Sequence, residues 1–243
     1  MKNIKIVSSF IAAIIVMVFS GAASATLSVT GTRVIVNDNQ PTNVVVRNVD
    51  KAKPFLAQTW VENKENQIDR EFFVVQPPLQ RLEPDTRTQI LIRPTAVTGK
   101  LPQDQESLFY FNVKEIPPKM EQGISAIQIA LQTRIKLFYR PAAIGKAHPA
   151  GPNYSELRLS EVNGSIKVEN PTPFHVTVSE VRIGNKVLNE GLGDMLAPYS
   201  SNTLPGTLKS NDVTLVVIND FGGMQDVNFR CTAGHCASIT QEG

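Results

Sequence analysis

The sequence is short of cysteine, of histidine, of net charge and of helical repeats, and each shortage excludes something. Only two of its 243 residues are cysteine, Cys231 and Cys236, both in "FRCTAGHCASI". That is too few for a disulfide-built scaffold. Their spacing suits a bridge across a tight hairpin loop; the alternatives are a redox pair, which usually has two intervening residues, and a metal site, which needs further ligands. The three histidines, His148, His175 and His235, stand far apart, and none falls in an acid–base or metal motif. No G-x-S-x-G, H-E-x-x-H, P-loop or dinucleotide glycine pattern occurs, so neither a catalytic residue nor a cofactor nor a metal is expected. Carboxylate pairs such as Glu62 with Glu65 or Asp104 with Glu106 would serve a glycosidase only if they faced each other across a sugar.

Charge is balanced once the leader is set aside. Residues 1–25 carry Lys2 and Lys5, an apolar run from Phe10 to Phe19, and Ala23-Ser24-Ala25. This is the layout of a secretory signal peptide, and the run is shorter than the ~20 residues of a membrane-spanning helix. The mature chain is expected to start at Thr26. Without Lys2 and Lys5 the 24 basic residues fall to 22, against 22 acidic ones. A nucleic-acid binder would show a basic excess, so nucleic acid is not an expected partner. Export also places Cys231 and Cys236 in an oxidising compartment, where a disulfide is the default.

Beyond the leader, short runs rich in Val, Ile, Thr and Phe recur between turn residues. They are "LSVTGTRVIV", "NVVVRN", "PFLAQTWVE", "EFFVVQ", "RTQILIRP", "SLFYFNVKEIP" and "AIQIALQTRIKLFYRPAAI". Seven such candidates predict a β-sandwich of immunoglobulin type over residues 26–143. After "RPAAIGKAHPAGPN", rich in Pro, Gly and Ala, the pattern restarts with "ELRLSEV", "SIKVEN", "FHVTVSEVRIG", "TLKSNDVTLVVIND", "QDVNFRC" and "CASITQ", predicting a second β domain over residues 144–243. The weakly patterned stretch "NKVLNEGLGDMLAPYSSNTLPG" is expected to hold short edge strands and loops, without positions for them.

The seventh run carries the most information. Ile127, Ile129 and Leu131 alternate on one face of an extended strand, which either packs into this protein's own core or presents a surface to a partner. Arg134, Lys136 and Arg140 follow before Pro141 stops the strand. Arg140 stands where it can reach carboxylates on either side of the interdomain linker, with Glu106 and Asp220 as candidates.

Five blocks, "QPPLQRLEPDTRT", "LPQDQESLFYFNVKEIPPK", "IQIALQTRIKLFYRPAAI", "VENPTPFHVTV" and "INDFGG", together resemble the signature blocks of the periplasmic pilus chaperones, the PapD-like chaperone–usher family. The match runs in order along nearly all of the chain past the leader. It implies an all-β protein of two immunoglobulin-like sandwiches in an L or boomerang arrangement. It also implies a periplasmic, non-enzymatic and ATP-independent role: capture of pilus subunits, pilins and adhesin, by donor-strand complementation, and delivery to an outer-membrane usher. Ile127, Ile129 and Leu131 become the lent side chains. Arg33 and Lys136 become the anchors of the subunit's C-terminal carboxylate, and Glu106, Arg140 and Asp220 an interdomain ion network. The short connection "FNVKEIPPKMEQGISAI" and a first domain without cysteine resemble the short-loop branch of the family. The competing reading is a secreted immunoglobulin-like pilus subunit or adhesin. The lent strand, exposed in a free chaperone, also suggests a self-capping dimer.

One tension follows from parity. Ile127, Ile129 and Leu131 are odd and Lys136 is even, so a flat strand sends them to opposite faces; a bulge, twist or bend near Thr133 is expected to reconcile them.

Overall fold

The structure is a computed structural model describing residues 26–38, 40–119, 128–188, 195–208 and 210–239, with the expected leader outside them. The first run of the mature chain is two strands rather than one. Gly31, at φ +85°, breaks it into β1 (Leu27–Val29) and β2 (Arg33–Asn37), which go to different sheets. There follow β3 (Thr42–Asn48), β4 (Phe55–Glu62), β5 (Phe73–Gln76), β6 (Leu79–Leu82), β7 (Arg87–Pro94), β8 (Ser107–Ile116) and β9 (Gln132–Arg140). One sheet has the order β1-β3-β7-β5 and the other β2-β9-β8-β4-β6. Between them Val34, Val36, Ile90, Ile92, Phe111, Leu137 and Tyr139 form one closed core, each at 4% exposure or less. These are alternate residues of their strands, as a sandwich requires.

The Pro/Gly/Ala segment is not bare linker. Pro141 fixes the chain ahead of a short helix, α1 (Ala142–Ala147), which spans the expected boundary between Ala143 and Ile144 and buries Ile144. The second half contains β10 (Arg158–Val162), β11 (Ser165–Asn170), β12 (Thr177–Ile183), β13 (Lys186–Leu188), β14 (Ser200–Pro205), β15 (Asp212–Ile218), β16 (Met224–Thr232) and β17 (His235–Ser238). The stretch without a readable pattern supplies β13 and β14. All eight strands form one sheet, β13-β12-β15-β16-β17-β10-β11-β14. Its two ends share one core, with Val181 and Leu215 from one side and Leu159, Ile166 and Leu204 from the other, so the sheet curls over on itself.

The cysteines sit on the two middle strands of that sheet. Cys231 and Cys236 are directly opposed in the β16–β17 hairpin and joined as a disulfide, with Cα atoms 3.9 Å apart. The loop between them turns on Ala233 and Gly234, both at positive φ, the conformation a two-residue hairpin turn demands.

Candidate functional site

β9 organises everything singled out in the sequence. Its odd residues Ile135, Leu137 and Tyr139 face the first core, and its even residues point to the opposite side, where Phe138 and Arg140 are buried against the second half. Pairing with β8 runs one for one from Lys114↔Gln132 to Ser107↔Tyr139, so of the bulge, twist or bend expected near Thr133 the bulge does not occur in this strand. The strand is also shorter than expected, starting at Gln132. The cause lies in β8, which stops at Ile116 because Pro117 and Pro118 cannot donate to a ladder. Leu131 keeps one main-chain bond, accepting from the Glu115 N–H at 2.9 Å. Ahead of it, Ile129 is 68% exposed and Leu131 itself 39%, well outside the core; Ile127 lies outside the described residues.

The other edge of β9 is only half covered. β2 pairs with it in parallel from Arg33↔Lys136 to Asn37↔Arg140 and no further. Among the described residues Gln132–Ile135 therefore have β8 on one side and no strand on the other. That leaves about 13 Å of open edge, at ~3.3 Å per residue, ending where Arg33 and Lys136 stand side by side.

Both cations face out, since Val34 and Val36 of β2 face in. Lys136 Nζ donates to Thr177 Oγ1 at 3.3 Å, and Arg33 Nη1 donates to the Ile218 carbonyl at 2.8 Å. Thr177 and Ile218 are themselves paired, in β12 and β15, so a pair from the first sheet abuts a pair from the second. The Arg33 guanidinium also lies 5.8 Å from the Phe138 ring. Burial lowers the Arg33 pKa, opposed by Tyr154, Asp220 and Glu106. Lys136 lines an open cleft of about 430 Å³ with Leu108 and Tyr110 from its own sheet and Met195, Ala197, Ser200 and Asn202 among the residues opposite. Arg134 is engaged elsewhere: it stacks on Tyr110 at 3.3 Å and bonds Glu62 Oε2 at 3.1 Å and Asn66 Oδ1 at 2.8 Å.

At the far end of β9 the three residues of the expected ion network do meet. Arg140 Nε donates to Glu106 Oε1 at 2.9 Å, and Nη2 lies 2.8 Å from both Glu106 Oε1 and Asp220 Oδ2. Nη2 is not aligned as a hydrogen-bond donor to either, so those two contacts act through charge. Burial on its own would lower the Arg140 pKa, but Glu106 and Asp220 outweigh it and the net direction is up. Glu106 reaches across as well: its Oε2 accepts the His175 N–H at 2.8 Å, and its own N–H donates to the Pro173 carbonyl at 2.9 Å. Arg140 is stacked 4.8 Å from the Phe174 ring.

Several members of this junction left no usable signal in the sequence. Tyr154 borders it with a pKa pushed up to about 12, first by burial and then by Asp220. Gly222, at φ +84°, lets the "NDFGG" loop come so close to β2 that an added Cβ would lie 2.6 Å from Thr32 Oγ1. Only the doubled glycine of that loop hinted at a close approach. His175 stacks on Phe138 with centroids 5.3 Å apart, a packing role for a histidine that stood alone in the sequence. Among the described residues no three His, Cys, Asp or Glu side chains gather where a metal would sit.

Two β domains joined through a buried ion network, with one strand edge left open beside paired cations, define a two-domain immunoglobulin-like protein. A family model described as the PapD N-terminal domain of pili and flagellar-assembly chaperones matches residues 26–145, and one described as the PapD C-terminal domain of pili-assembly chaperones matches residues 152–229. The chaperone protein PapD of Escherichia coli is 41% identical over 230 residues, 93% of this chain and 95% of the relative. The chaperone PmfD of Proteus mirabilis is 36% identical over 236 residues, 93% of this chain and 92% of the relative. A solved structure of the Salmonella enterica SafA pilin in complex with the SafB chaperone is similar with a TM-score of 0.71 and 29% identity, covering 87% of this chain and 99% of that one. The chain belongs to the PapD-like family of pilus-assembly chaperones.

Proposed function

We propose that this protein works in the periplasm, holding pilus subunits by lending them a strand and passing them to an outer-membrane usher without ATP. The observation that carries the reading is the half-covered edge of β9, ending at Arg33 and Lys136. A subunit strand laid on Gln132–Ile135 would continue the line of β2. Its direction follows from charge: only its C-terminal end, a carboxylate, is attracted by two cations, and this makes the pairing parallel to β9. No bulge is needed, because an edge-paired strand lies in the plane of the sheet. Apolar side chains on one face of the lent strand enter the subunit while its terminus meets the cations at the edge. Ile129 and Leu131, with Ile127 ahead of them, would supply those side chains, each worth about 1.5–3 kcal/mol when fully buried. The pilin–chaperone pair among the similar solved structures supports the same kind of partner. A pilus subunit, the competing identity, would be a single incomplete domain, whereas both cores here are closed.

Co-purification from periplasm with a pilin expressed alongside tests this. Ile129→Asp is expected to lose the subunit and keep its melting temperature within about a degree, since an exposed side chain carries little stability. A wild-type subunit yield overturns the lending of Ile129, and a collapsed fold returns that side chain to the protein's own core.

In the free protein the same edge is open to a second copy, and we expect a self-capping dimer. Light scattering of the subunit-free protein should show the mass rising with concentration; a monomer throughout rules the dimer out.

A further inference from the structure

Glu115, one residue from the end of β8, points the same way as Phe109, Phe111 and Val113 and is 5% exposed. Its Oε2 accepts the main-chain N–H groups of Thr26 and Leu27, each at 3.1 Å. Its Oε1 takes the N–H of Leu131 at 3.4 Å, while its own N–H donates to the Leu131 carbonyl at 2.9 Å. These amides fill the lone pairs but do not neutralise the charge. Glu106, the other buried carboxylate, has Arg140; among the described residues Glu115 has no ion pair. A buried ion without a counter-charge is strongly disfavoured.

One of the two nitrogens at 3.1 Å belongs to Thr26, the residue expected to follow the leader. Hydrolysis of the Ala25–Thr26 bond by a leader peptidase consumes one water, leaves a carboxylate on Ala25 and frees an amine on Thr26, which takes up a proton at neutral pH. The atom 3.1 Å from Glu115 Oε2 then carries a positive charge and three donors where the uncut chain has a neutral amide with one.

We propose that the α-ammonium created by removing residues 1–25 is the counter-ion of Glu115, and that the pair fixes Leu131 at the root of the open edge, so that leader removal completes the capture surface. The last clause rests on the function proposed above; the ion pair does not. Pairing raises the amine's pKa above the ordinary range of about 7.7–8.0. The added stability is therefore fully present below that range and is lost as pH rises through the raised value.

The test compares the chain starting at Thr26 with one that keeps Ser24 and Ala25, each with and without Glu115→Gln. At pH 7 the mature chain should melt higher by more than about 2 °C, with the gap closing toward pH 10 and the Glu115→Gln cost larger in the mature chain. NMR titration should place the Thr26 amine above the ordinary range in the wild type and within it in Glu115→Gln. Equal midpoints, an ordinary titration, or a periplasmic protein found by mass to start elsewhere than Thr26 overturns the ion pair. If Glu115→Gln does not fold, the wild-type titration decides. If the pair is present but Leu131 amide exchange and pilin yield are the same in mature and extended chains, the completed capture surface is overturned. Failure of subunit capture altogether leaves the titration and midpoints untouched.

Discussion

Lys136→Ala is expected to cut subunit capture by about 10- to 150-fold while the protein folds normally. The size follows from losing one charge-assisted hydrogen bond to a carboxylate, worth about 1.5–3 kcal/mol. Lys136 is the better choice over Arg33 because Arg33 Nη1 also holds the Ile218 carbonyl and its guanidinium lies beside Phe138, so its removal disturbs the junction too. Lys136 Nζ holds the Thr177 hydroxyl at 3.3 Å, and Thr177→Val removes that bond while leaving the amine. Capture should survive Thr177→Val and fail in Lys136→Ala, read as pilin co-purified from periplasm. Wild-type yield from Lys136→Ala would sink the carboxylate anchor.

Arg140→Ala is expected to be the most destabilising single change at the junction, by about 3–5 kcal/mol, because it strands the buried Glu106 carboxylate. For a chain of this length that corresponds to a fall in melting temperature of roughly 6–20 °C. Asp220 is less buried than Glu106 and will be partly rescued by water. The cost arises mainly from the orphaned charge, so Glu106→Gln added to Arg140→Ala should recover part of the loss rather than add to it. The network also joins β9 to the Pro173–His175 segment, outside either apolar core, so the single unfolding transition should split into two in calorimetry. A melting temperature within a degree of wild type would show that the network is not a structural tie.

The strand alternation made most of both sandwiches readable, because inward and outward residues follow the period-2 rule along β2 and β4 in the first and β11 in the second. The apolar face formed by Ile129 and Leu131 and the meeting of Arg140 with Glu106 were visible for the same reason, with family blocks fixing which acids to choose. What periodicity does not carry is the extent of pairing. That β9 starts at Gln132 depends on Pro117 and Pro118, which lie on a different strand's connection, and that its far edge is free up to Lys136 depends on where β2 begins after Gly31. The expectation of a bulge, twist or bend near Thr133 came from treating the side-chain faces as the only way to meet a partner, when a strand also offers its edge. Thr177 and Glu115 left no signal because Thr177 meets Lys136 across 41 residues and Glu115 meets Thr26 across 89, and Tyr154 because its main charged neighbour, Asp220, lies just past a distant strand end; no local pattern connects those segments.

The point where β2 takes over from the open edge gives that edge the character of a gauge. On the proposed function, one end of the edge is open and the other is closed by β2 and Arg33, so a guest chain would be measured from its terminus inward. A pilin shortened or lengthened by a single C-terminal residue would reach the stop with its side chains turned to the wrong side of the sheet. Recognition would then depend on counting residues back from the chain end, and pilins of very different sequence would qualify as long as that count was kept.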